Sequence, residues 1–124
     1  MAEVDLTGSW LVVSDDPQVG EAIRFGLPAD VEIVVVNDGR SAITTLDSLT
    51  PRVVVVDLQT GNAGGFALAK DMAQTARLGS VPVILLLERD QDRWLAEQAG
   101  ATVALRKPVT GSEVLVAVSS VLAA

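Results

Sequence analysis

The chain has 124 residues, 49% of them hydrophobic, and a formal net charge of −7. That length suits one domain with a single core, the apolar content excludes a disordered chain, and the acidic balance argues against direct nucleic-acid binding, which needs a basic surface. With no cysteine and no histidine, the chain has no disulfide, thiol nucleophile, histidine base or histidine metal ligand.

Met1 to Ser9 reads as a loose polar leader to a single domain spanning 1–124. It has no basic segment followed by an apolar one, so no signal peptide is expected. The longest apolar run, Val83 to Leu87, is too short to span a bilayer. A cytoplasmic location without membrane association is the expectation.

Trp10 to Val13 predicts a first strand, with Trp10 plugging the bottom of the sheet. The run stops at Ser14-Asp15-Asp16-Pro17, where an Asp before a Pro suits a helix start. The helix that follows carries Val19, Ala22, Ile23, Gly26 and Leu27 on one face and ends at Pro28. Val31 to Val36 predicts the second strand and Asn37-Asp38-Gly39 a turn. Ala42, Ile43, Leu46 and Leu49 mark a second helix, terminated by Pro51.

Arg52 to Val56 predicts the third strand. Val53 to Val56 are consecutive valines that end at Asp57; a β-branched run without alternation reads as a strand covered on both faces. After a loop, Phe66, Ala69, Met72, Ala73 and Ala76 form a third helical stripe, closed by Gly79. Gly61, Gly64 and Gly65 lack the lysine and spacing of a phosphate-cradling loop and read as turn glycines with positive φ. Val81 to Leu87 predicts the fourth strand. Asp90 is a candidate cap for a fourth helix with Leu95, Gln98 and Ala99 inward and Gly100 at its end. Ala101 to Leu105 predicts the fifth strand, broken by Lys107-Pro108. Thr110 and Glu113 have capping-box spacing ahead of a helix with Val114, Leu115, Val118, Val121 and Leu122 on one side.

Five strand–helix alternations predict an α/β fold with a doubly wound parallel sheet. The carboxyl ends of the first, third and fifth strands then lie together, at the edge where such sheets bind ligands. Those ends carry Asp15 with Asp16, Asp57, and Lys107. Neighbouring carboxylates repel and call for a cation. Mg²⁺, held by one or two carboxylates, a carbonyl and waters, supplies it. A lysine opposite suits a phosphoryl group. The set describes a carboxylate able to accept a phosphoryl group.

On the segments WLVVSDDP, VVVVDLQTGNAGGFALAK, VPVILLL, QAGA and LRKP, the chain resembles the receiver domain of bacterial response regulators over nearly its whole length. The resemblance implies a flavodoxin-like sheet of order 2-1-3-4-5 with five helices, and a phosphorelay function. It implies Asp57 as phosphoacceptor from a sensor histidine kinase or phosphotransfer protein. Mg²⁺ would be held by Asp57, Asp15 and the backbone carbonyl of Gln59, with Asp16 as a further candidate. Lys107 would bind the phosphoryl group, and the Lys107-Pro108 bond is often cis in that family.

Departures from the family pattern imply an atypical receiver. Aligning Pro17 and Val19 places Ser14 at the first of two usual acids and Asp15 at the second, so weaker Mg²⁺ binding is expected. Leu87 replaces a hydroxyl residue that bonds the phosphoryl group, a loss of roughly 1.5–3 kcal/mol. Ala104 replaces the rotating aromatic, and Thr60-Gly61 replaces Met-Pro. Two readings follow: phosphorylation on Asp57 with altered output to an unknown downstream protein, or a phosphorylation-independent docking module. A phosphatase-like enzyme is disfavoured, because Gln59 stands where its second Asp belongs and no cap domain is present, so no enzymatic activity is expected. Trp94 reads as a packing anchor; exposed beside Arg93, it would instead mark a partner surface. The Asp90, Arg93 and Glu97 charges read as a solvated face. Both a stand-alone receiver and a domain cut from a longer chain fit the sequence.

Overall fold

The run Val53–Val56 forms a strand that is covered on both faces. This computed structural model describes residues 8–58 and 64–123. Its strands are β1 (Ser9–Val13), β2 (Glu32–Val36), β3 (Val53–Asp57), β4 (Val83–Leu87) and β5 (Val103–Arg106). The helices are α1 (Pro17–Gly26), α2 (Gly39–Leu46), α3 (Gly64–Gln74), α4 (Arg93–Gln98) and α5 (Gly111–Ala123). Among the described residues the strands make one sheet in the order β2-β1-β3-β4-β5, and every pairing is parallel.

Successive strand side chains point to opposite faces, and each face has its own core. Leu11, Val13, Val54, Val56, Leu85 and Leu87 pack with Ala42, Leu46, Leu68, Met72 and Ala96 on one side. Trp10, Val12, Val53, Val55, Ile84 and Leu86 pack with Val19, Ile23, Val114 and Val118 on the other. Central strands β3 and β4 are buried along their whole length, whereas the edge strands β2 and β5 are only partly covered.

Local signals start and stop the helices. Asp16 caps α1 by accepting from Gln18 N at 3.0 Å, ahead of Pro17. Asp38 caps α2 through Ser41 N at 2.7 Å, and that backbone bond holds its carboxyl below the usual range. Thr110 and Glu113 make the expected reciprocal capping box, at 3.3 and 3.1 Å. Gly100 follows α4 with φ 92, a conformation that suits glycine.

Several expectations need correction. Ser9 belongs to β1, paired with Glu32, rather than to a leader; residues 1–7 of that leader lie outside the described residues. Helix α2 stops at Leu46, ahead of Pro51, and α3 stops at Gln74, short of Gly79. Gly64 and Gly65 open α3 instead of a turn, and Gly61 lies outside the described residues. Asp90 does not cap α4: a 3₁₀ turn, Asp90–Asp92, comes first, and the Asp90 carboxylate pairs with Arg93 at 3.4 Å and Arg106 at 3.2 Å. That turn rotates the six-residue α4, so Ala96 and Ala99 face inward while Leu95 and Gln98 are exposed.

Helices α1 and α5 approach at paired glycines. A Cβ on Gly26 would lie 2.5 Å from the backbone of Gly111. One on Gly20 would meet a Val35 methyl at an ordinary 3.6 Å. Gly26→Ala should therefore destabilise the fold by about 1–3 kcal/mol through overpacking. Gly20→Ala should be neutral or stabilising by up to about 1 kcal/mol. Urea denaturation of the two variants checks the contrast.

Candidate functional site

Asp57 is the last residue of β3, and its side chain has no exposed surface. A carboxylate in that position needs hydrogen-bonded partners. Parallel pairing of Val13 with Val56 brings the next residue of β1's chain, Ser14, beside Asp57. Buried Ser14 donates its hydroxyl to Asp57 Oδ2 at 2.9 Å and accepts from Asp16 N at 3.1 Å. On the other side, Lys107 leaves β5 with its backbone N–H donated to the Leu87 carbonyl at 2.7 Å. It is joined to Pro108 by a cis peptide bond. Its ammonium crosses the end of β4 and reaches the same Asp57 Oδ2 at 3.0 Å.

The Lys107 ammonium has a second anionic partner, Glu88 Oε1, at 3.2 Å. Burial alone would push the lysine pKa down, but hydrogen bonds and charge from Asp57, then from Glu88, outweigh it and raise the pKa above the ordinary value. Ser14, Asp57, Lys107 and Glu88 thus form one polar chain that runs from the sheet end to solvent, where the Glu88 side chain is 43% exposed.

The structure brings together two of the expected strand-end groups, Asp57 and Lys107. The acids after β1 are placed differently. Asp15 is exposed and lines a hollow of about 280 Å³ with Ser14, Asp16, Glu21 and Arg24. Asp16 is engaged as the α1 cap. Gln59, expected to offer its carbonyl, lies outside the described residues, as do Thr60 and Gly61. Among the described residues no three acidic side chains converge on a metal-sized point. Asp57 is fully buried and Asp15 is exposed at that hollow; an ion that keeps most of its waters needs only one or two carboxylates. Ser14 brings a neutral hydroxyl beside Asp57.

Leu87 is fully buried and Ala104 partly buried. Neither side chain has a polar atom to offer a phosphoryl group. The Ala104 carbonyl accepts from the Arg93 guanidinium at 2.7 Å. Trp94 is 64% exposed beside Arg93, so it is not the packing anchor expected of an aromatic on a helix; the inward face of α4 goes to alanines.

Sequence reasoning overlooked Glu88. The signal was present, because Glu88 is the first charged residue after the apolar β4, as Asp57 is after β3. Ser14 was legible as a missing acid but not as the hydrogen-bond donor it proves to be.

The response regulator receiver domain family model matches residues 10–119. An uncharacterized 14.6 kDa protein of Leptolyngbya boryana is 30% identical over 118 residues, covering 93% of this chain and 87% of its own. The crystal structure of a putative response regulator from Chloroflexus aurantiacus superposes with a TM-score of 0.87 at 24% identity, over 95% of this chain and 99% of that one. The receiver domain of sensor histidine kinase PA1611 from Pseudomonas aeruginosa, with a magnesium ion coordinated in its active-site cleft, gives a TM-score of 0.83 at 21% identity over 95% and 99%. The chain spans about half the length of several other curated relatives it matches.

Removing the Lys107 charge leaves Asp57 buried without its cation. Lys107→Met should cost about 3 kcal/mol or more at neutral pH, and Asp57→Asn in the same chain should recover most of the loss. A double-mutant cycle by chemical denaturation measures this. Because the folded-state pKa of Lys107 is raised, its contribution is fully present below the ordinary lysine value and disappears as pH climbs through the raised one. On the alkaline side, the penalty of Lys107→Met should therefore shrink at strongly alkaline pH.

Proposed function

We propose that this chain, which belongs to the response regulator receiver domain family, accepts a phosphoryl group on Asp57 from a phosphohistidine of a sensor histidine kinase or phosphotransfer protein. The observation that carries the reading is the 3.0 Å contact of the Lys107 ammonium with a carboxylate buried at the carboxyl end of the central strand. In the transfer, an Asp57 oxygen forms a bond to phosphorus as the donor's P–N bond breaks, and the imidazole keeps that electron pair. The phosphoryl group carries about −1.5 to −2 charge in place of the carboxylate's single negative charge, and Lys107 is the cation placed to meet it. Ser14 moves its hydroxyl donation from the carboxylate to whichever oxygen the new group leaves in reach. Asp57, Asp15 and the Gln59 carbonyl are the residues that would hold Mg²⁺. When bound, the ion supplies positive charge to the phosphoryl oxygens.

The chain acts as a regulatory module in this reading, and its output is atypical. Leu87 has no hydroxyl to follow the phosphoryl group, and Ala104 has no rotamer to change. The exposure of Trp94 and Leu95, 64% and 46%, favours a second reading: docking through the α4 surface, with Arg93 and Trp94 at its centre, independent of phosphorylation. No helix among the described residues is long and apolar enough to cross a membrane.

Mass spectrometry after exposure to acetyl phosphate and Mg²⁺ tests the first reading. A labile gain of one phosphate, absent from Asp57→Asn, is expected; an unlabelled parent chain would favour the docking reading. Ser14→Asp should tighten Mg²⁺ binding by roughly tenfold or more, because affinity follows carboxylate count. Calorimetric titration measures that gain, and an unchanged affinity would remove Ser14 from the metal site.

A further inference from the structure

We propose that Glu88 is a charge gate at the phosphoacceptor site, a specificity-determining carboxylate that discriminates among phosphodonors by their charge. The inference rests on the reading of Asp57 as phosphoacceptor and deepens it.

The geometry sets an order from solvent inward. Glu88 is 43% exposed, the Lys107 side chain 16%, and Asp57 not at all. Glu88 Oε1 and Asp57 Oδ2 lie 3.2 and 3.0 Å from the same ammonium nitrogen. A phosphoryl group reaching Asp57 must come up to Lys107 while Glu88 already holds one of its N–H groups. The incoming group therefore either displaces Glu88 or accepts a like charge beside it, and like charges at that range repel. Leu87, directly before Glu88 and fully buried, has no hydroxyl to offset the repulsion. A small free dianion meets this charge alone. A phosphohistidine on a protein surface arrives with neighbouring groups that can pair with Glu88 or draw it aside. The gate thus favours a protein donor over small anionic ones.

An exposed ion pair can also be energetically silent. The two possibilities differ in how labelling depends on donor charge and on salt. In the test, the parent, Glu88→Gln and Glu88→Asp are labelled with acetyl phosphate and with the less negatively charged phosphoramidate, at one fixed Mg²⁺ concentration and at low and high ionic strength. Glu88→Gln should label faster with acetyl phosphate by about five- to tenfold at low ionic strength, with the gain shrinking as salt screens the charge. The gain with phosphoramidate should be smaller, and Glu88→Asp should stay close to the parent. Equal rates for parent and Glu88→Gln, a slower Glu88→Gln, or the same gain with both donors would overturn the gate and leave Asp57 standing as phosphoacceptor. An absence of labelling in all three chains would remove the phosphoacceptor reading, and the gate with it.

Discussion

Asp57 has no exposed surface, and one of its oxygens takes hydrogen bonds from both a serine hydroxyl and a lysine ammonium. Much of the fold's order is what makes that arrangement tolerable. A buried carboxylate without partners would be strongly unfavourable. Here the partners come from strand ends on either side of β3, and they meet it only because all the strands run parallel and in register. A slip of one residue would exchange valine for valine in the two cores but would carry Asp57 away from Ser14 and Lys107.

Charge balance at the strand ends distinguishes this receiver. Where the family pattern has a pair of acids after the first strand, Ser14 contributes a neutral donor, and Asp16 serves the α1 helix instead. Asp57 is thus met by Lys107 and a hydroxyl within the chain itself. Lys107, shared with Glu88, becomes the centre of the electrostatics. Leu87 and Ala104, beside this polar chain in sequence, are apolar and at least partly buried.

Most of this was legible in the chain because apolar runs and strand-ending charges are one-dimensional signals. The unbroken valines of β3, the Pro17 start of α1 and the Thr110–Glu113 box follow from local rules, and the convergence of Asp57 with Lys107 follows from the strand–helix alternation that sets the sheet. The failures came where a tertiary contact decided. Asp90 looked like a helix cap, but Arg93 and Arg106 claim it, and the 3₁₀ turn it sits in rotates α4 so that Leu95 faces out. Trp94 followed the same rotation. Glu88 was passed over because its role depends on the reach of Lys107 across β4, which no spacing rule encodes.

The account turns on one pocket that receives an anionic phosphoryl group between Asp57 and Lys107. Titration with beryllofluoride and Mg²⁺, followed by amide NMR, tests that pocket without requiring a donor. The account predicts shifts at Ser14, Asp57, Glu88 and Lys107, with much smaller changes at Ala104 and along α4. A spectrum that does not move at millimolar Mg²⁺ would contradict it.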